Sequence, residues 1–212
     1  MLYRKIKITG QKSIHANIPQ SWSEVTYKQF LEVKDEKDPI KRVSILTDIP
    51  VEFFQYKEMV DFYIWLEEKL IWSNKYEEED SSGEFFRIDD YNFHFPKDIN
   101  LKSIGLYWDI QSEAQESDKD VLKIFPFICA GYLQLELDTE YDYGKAKEYE
   151  KYFMSQPCNK VLNCGNFFLS KVNKLKNGTG QIQSSLITLL TKYLQGTISW
   201  LKSSVKKQFY HN

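Results

Sequence analysis

VLKIFPFICAGYLQLELDTEYDYGKAKEYEKYFMSQPCNKVLNCGNFFLSKVNKL, residues 121–175, decides how this chain folds. Three helical patterns follow one another in it. In the first, Val121, Phe125, Ile128 and Tyr132 share a face, with Leu122, Cys129 and Leu133 beside them. Pro126 sits inside that pattern, which predicts either a kink or a later helix start. Tyr141 to Gly144 reads as a turn, and Asp142 can cap a second helix. Pro157 stops that helix, because proline cannot continue the hydrogen-bond ladder. The third pattern carries Val161, Leu162, Phe168, Leu169, Val172 and Leu175 and ends at Asn177-Gly178. Helices joined by short loops pack antiparallel, so this stretch predicts a small helical core.

Working outward, the N-terminal side is mixed. Residues 2–19 read as extended, with Arg4, Ile6 and Ile8 alternating against Tyr3, Lys5 and Lys7 and a turn at Gly10. The basic face suits an edge strand or one that pairs with another chain. Thr26 and Gln29 form a capping box, with Val25 stapled to Phe30. Asp38-Pro39 starts the next helix, whose inner face is Ile40, Val43 and Leu46. Ile49-Pro50 opens a longer predicted helix to about Trp72. Its apolar stripe is wide: Phe53, Tyr56, Val60, Tyr63 and Ile64 on one side, with Phe62, Leu66 and Leu70 alongside. Such a stripe predicts neighbours on two sides.

Tyr76 to Glu84 is an acidic linker. A hairpin follows, Phe85 to Ile88 and Tyr91 to Phe95 around Asp89-Asp90. Ser103-Ile104-Gly105 reads as a turn, and Glu113 to Asp120 as a loop into the core. A last helix is predicted from about Ile182 to Phe209, with Leu186, Leu190, Tyr193, Thr197 and Trp200 on one face. The fold class is therefore α+β and predominantly α-helical. N-terminal extended strands and a central β-hairpin lie beside a helical core. Three regions emerge: 1–75, strands plus short helices; 76–118, linker and hairpin; 119–212, helical core with a basic C-terminal helix. They are compatible with one compact domain.

Charge is divided unevenly along the chain. The 212 residues carry a formal charge of −2, yet residues 151–212 hold nine lysines and no acid. Residues 1–150 hold all 30 acids against 19 Lys and Arg. Either the two parts attract each other within the molecule, or the basic part faces nucleic acid or an acidic protein. Aromatics make up 16% of the chain, enough to fill a core and leave some for a protein interface. Candidate interface residues are Trp22, Phe167, Trp200, Lys202, Lys206 and Lys207. Phe167 adjoins Phe168, and the two cannot point the same way on a helix.

Chemistry-bearing patterns are sparse. The histidines are His15, His94 and His211, without metal spacing. Cys129 reads as a core residue, and Cys158 with Cys164 forms no Cys-x-x-Cys pair, so no zinc site is expected and a reducing compartment is the default. Asp138, Glu140 and Asp142 alternate like a calcium loop. Tyr143 and Tyr149 stand where that loop needs Gly and Glu, which favours a helix cap. No nucleophile elbow, phosphate loop or dinucleotide fingerprint occurs. The chain is read as no enzyme, with no catalytic, cofactor or metal residue named. MLYRKIKITG lacks a signal-peptide core, and the longest apolar run, Phe125 to Leu133, is too short for a bilayer. No membrane partner is expected.

Trp22-Ser-Glu-Val-Thr-Tyr-Lys-Gln-Phe30, Asp38-Pro39 and Ile45-Leu-Thr-Asp-Ile-Pro50 resemble the opening of small proteins from the tail and head–tail genes of tailed bacteriophages, the crAss-like group among them. Ser103-Ile-Gly-Leu-Tyr107 and Asn166-Phe-Phe-Leu169 fit the same resemblance, which covers about half the chain. It implies a virion component: a ring or connector subunit near the tail, non-enzymatic, touching other phage structural proteins and forming a homo-oligomeric ring. The implied location is the virion, and the host cytoplasm during assembly. Two alternatives stay open: a tail-assembly chaperone, and a nucleic-acid-binding accessory protein that uses the basic C-terminal region.

Overall fold

The structure, a computed structural model, describes residues 1–6, 13–74, 85–88, 90–94, 104–117, 120–138 and 140–179. In chain order its elements are β1 (Leu2–Ile6), β2 (Ile14–Ile18), α1 (Tyr27–Val33), α2 (Pro39–Thr47), α3 (Val60–Lys69), β3 (Phe85–Ile88), β4 (Tyr91–His94), α4 (Ile104–Glu116), α5 (Val121–Leu137), α6 (Tyr143–Met154) and α7 (Cys158–Thr179). It is a predominantly helical α+β fold. β1 pairs antiparallel with β2, Leu2 opposite Ile18 and Ile6 opposite Ile14. β3 and β4 form the second hairpin, with Ile88 opposite Tyr91. The predicted turn at Gly10, the linker 76–84, the hairpin residue Phe95 and the last helix 182–209 lie outside the described residues, as do the side chains of Leu169, Val172 and Leu175.

α5 is the centre. Its sequence is apolar almost all round, and from Val121 to Gln134 every residue but Lys123 is buried. The helix begins at Val121, where the Asp120 side chain accepts from the Leu122 N–H at 3.2 Å, and it runs through Pro126. The later start allowed by the proline does not occur, and the reason is local. Pro126 has no N–H for the Leu122 carbonyl four residues back. The Tyr27 hydroxyl donates to that oxygen instead, at 2.7 Å, from a fully buried position. Lys34, at the other end of α1, meets Asp120 at 2.9 Å. α1 thus holds the first turns of α5 at two points.

The segment before α1 does the same for the α6–α7 junction. Thr26 and Gln29 make the expected capping box. The Tyr27 N–H donates to the Gln156 carbonyl at 2.9 Å, and the Cys158 N–H to the Val25 carbonyl at 2.8 Å. Ser155 and Gln156 separate α6 from Pro157, so the predicted stop holds. A single cluster of buried side chains runs from Ala16 through Phe168, joining the N-terminal segments to the helices.

α5 and α7 approach closely. A Cβ on Gly165 would overlap the ring of Phe125, which is fully buried and has nowhere to move. One on Gly131 would meet only the methyl end of Leu106.

Two sequence readings change. The single long helix from Pro50 to Trp72 is broken: short 3-10 turns cover Val51–Gln55 and Lys57–Met59, and α3 starts only at Val60. Tyr56 between them is extended, with φ −79° and ψ 135°. Val51, Phe53, Phe54 and Tyr56 are β-branched or aromatic, and such side chains lose χ1 freedom in a helix. The second change is α4. Residues 104–116 are helical where a turn and then a loop from Glu113 were expected. Leu106, Ile110 and Ala114, four apart, make its buried row.

Tyr27→Phe should lower the unfolding free energy by about 1–3 kcal/mol, the cost of leaving the Leu122 carbonyl buried and unpaired. In a Pro126→Ala background the loss should shrink, since residue 126 then brings its own N–H; urea unfolding of the four chains measures the difference. Gly165→Ala should cost about 1–3 kcal/mol through overpacking, while Gly131→Ala should be nearly neutral because Leu106 can turn aside.

Candidate functional site

The side chains that bear on function are on the surface, and α3 carries the clearest group. Its inner side supplies Leu66 and, just beyond, Leu70, both buried. Its outer side carries Val60 and Ile64, four apart and each 50% exposed. Ile71, seven positions further, is 67% exposed. Ile71 lies past the end of α3, in the 3-10 turn Ile71–Asn74, and these three exposed aliphatic side chains do not serve the core of this chain. Acids rim them: Glu58, Asp61, Glu67 and Glu68 are all exposed, against Lys57 and Lys69. Of the stripe, Leu66 and Leu70 meet the core, Phe53, Phe62 and Tyr63 are half-buried against it, and Tyr56, Val60 and Ile64 stand in solvent.

The N-terminal hairpin is fastened to the same helix. The Arg4 guanidinium lies 4.4 Å from the centre of the Trp65 ring and 5.8 Å from that of Phe62. Those two rings stack at 5.6 Å. Arg4 points this way because its strand partner is Ala16, on the buried side of the sheet. Tyr3 points outward, and its hydroxyl bonds to His15. Among the described residues β1 pairs only with β2, so its outer edge carries backbone groups with no strand beside them. Tyr63 donates to Glu67 at 2.6 Å. Burial first, and then that carboxylate, push the Tyr63 hydroxyl above the ordinary tyrosine range.

The sequence-derived contact residues fall in different places. Trp22 is buried, its ring edge-on to Phe30 at 5.5 Å and to Trp72 at 5.2 Å. Its carbonyl accepts from the Cys158 thiol at 3.1 Å. Trp22 is therefore a core residue of the folded chain and no exposed contact. Phe167 is half-buried while Phe168 is buried, so the two do point differently. Trp200, Lys202, Lys206 and Lys207 lie outside the described residues. Sequence reading did not single out Ile71 or Trp108, which is 51% exposed on α4. An apolar residue near a helix end carries no mark of its orientation until the neighbours are known.

The chemical candidates are engaged in structure. Asp142 caps α6, accepting from the Lys145 N–H at 3.0 Å. Asp138 pairs with the Lys145 ammonium at 3.1 Å. Lys145 first, then Gln134, hold the Asp138 carboxyl below its usual range. Gln134 is fully buried and fixes the loop, donating to the Glu140 carbonyl at 2.8 Å and accepting from the Asp142 N–H at 3.2 Å. Among the described residues no three His, Cys, Asp or Glu side chains are grouped to hold a metal ion. No helix among them is long and apolar enough to cross a membrane. Cys129, Cys158 and Cys164 are buried and in no disulfide, and burial, with Cys164 alongside, pushes the Cys129 thiol well up. Comparison with protein-family models, curated proteins and solved structures finds no match to this chain.

Ile64→Ser and Ile71→Ser should each change the unfolding free energy by less than about 0.5 kcal/mol, as surface substitutions do. Leu66→Ala, on the buried side, should cost about 2–5 kcal/mol. A large loss for Ile64→Ser would show the row to be packed within the free chain.

Proposed function

We propose that this chain is a non-enzymatic structural subunit of a tailed-phage virion, a ring or connector subunit near the tail that works through protein–protein contacts. The observation that carries the proposal is the exposed aliphatic row Val60, Ile64 and Ile71 inside its acidic rim. A ring subunit needs two unlike, complementary faces, so that each copy joins the next in a heterologous contact that closes. The acidic residues 1–150 and the acid-free residues 151–212 provide unlike surfaces in one chain. The phage-like stretches Trp22 to Phe30 and Ile45 to Pro50 support the same reading.

A second reading rests on the nine lysines of residues 151–212. A lysine-rich segment without acids suits a phosphate backbone, and would make the chain a nucleic-acid-binding accessory protein.

Mass spectrometry of purified particles separates these readings, together with sedimentation of the free protein. The structural reading expects the chain in the particle at a fixed multiple, and self-association in solution. A tail-assembly chaperone would be missing from finished particles. The nucleic-acid reading expects DNA binding that weakens steeply with salt and is lost in the triple variant Lys202→Glu, Lys206→Glu, Lys207→Glu.

A further inference from the structure

We infer that the α3 row is a docking site for residues 182–209 of a second copy of this chain; the inference rests on the ring-subunit reading and names the partner of that surface. Three observations converge on it. The first is shape: Val60 and Ile64 form a one-sided aliphatic strip, continued by Ile71, and a strip of this kind accepts one face of a helix. The second is pattern. Leu186, Leu190, Tyr193, Thr197 and Trp200 recur at helical spacing, with Leu189 and Leu201 adjacent, the row such a strip would take. The third is charge. The strip is edged by Glu58, Asp61, Glu67 and Glu68, whereas residues 182–209 contain Lys192, Lys202, Lys206 and Lys207 and no acid. Unlike charges along the rim steer the encounter and set its direction.

The chain continues for 33 residues beyond Thr179, the last described position. At 1.5 Å per residue a helix over 182–209 would span about 42 Å, against about 15 Å for the ten residues of α3. The segment is long enough to cover the strip. Docking onto the next copy leaves one open strip and one undocked segment at the two ends of any row of subunits. Only closure satisfies both.

The test mixes two full-length variants. One carries Ile64→Asp, which breaks the strip and leaves residues 182–209 intact. The other carries Leu190→Asp and Trp200→Asp, which break the segment and leave the strip intact. The expected result is self-association of the wild-type chain and a loss of at least about tenfold in association for each variant alone. An equimolar mixture should form heterodimers that grow no further, because the remaining strip and the remaining segment are both broken. Circular dichroism and thermal unfolding should show both variants folded. Glu67→Lys with Glu68→Lys is a second strip variant that adds no buried charge, and it should weaken association and make it less salt-dependent.

Variants that still self-associate like the wild type would overturn the docking site while leaving the ring-subunit reading in place. A mixture that stays monomeric would overturn docking between copies. A wild-type chain that is monomeric and missing from purified particles would overturn the ring-subunit reading itself.

Discussion

A missing N–H at Pro126 is the constraint on which the arrangement of this molecule turns. The helix that forms the centre of the fold has a carbonyl in its first turn, that of Leu122, that its own ladder cannot satisfy. That oxygen is buried, where an unpaired acceptor is expensive. The Tyr27 hydroxyl, some hundred positions earlier in sequence, satisfies it. The phenol must then lie over the first turns of α5. That placement brings Lys34 to Asp120, and the backbone at Val25 and Tyr27 to Cys158 and Gln156. A defect in one helix is thus what orients the N-terminal segment upon three.

Much of this was legible in the residues, because it is written in local chemistry. The Thr26–Gln29 capping box, Asp38 before Pro39, the Asp142 cap and the break at Pro157 are all interactions within a few positions, and each is found. The central hairpin declared itself through alternation, while residues 2–19 showed only extended pieces and not their pairing with each other. What escaped was decided at longer range. Tyr56 leaves the helical region in the middle of an apolar run with helical spacing, and no neighbour in sequence announces it. α4 was hidden by Gly105 and by its polar C-terminal half, though Leu106, Ile110 and Ala114 mark its inner row. The role of Tyr27 could not be read from its surroundings at all, since its partner is Leu122.

The surface was less legible than the core for a physical reason. Trp22 and Ile71 are both large and apolar, and composition treats them alike. One is wrapped by Phe30 and Trp72, and the other stands in water. Burial is a property of the assembled neighbours, so it is invisible before they are placed. The wide stripe on residues 53–70 predicted one helix with neighbours on two sides, whereas the helix starts only at Val60 and leaves Val60 and Ile64 in solvent. The fold resolves which side stays open, and the acids around that side set the kind of surface that would complement it.

The contact of Gly165 with Phe125 has a mechanical meaning. Sliding α7 along α5 by one turn, about 5.4 Å, would replace the glycine with Val161 or with the residues around Phe168. Both carry a Cβ, and a Cβ at the place of Gly165 already overlaps the ring. The two helices therefore have a single register, and force applied to one is passed to the other without slippage.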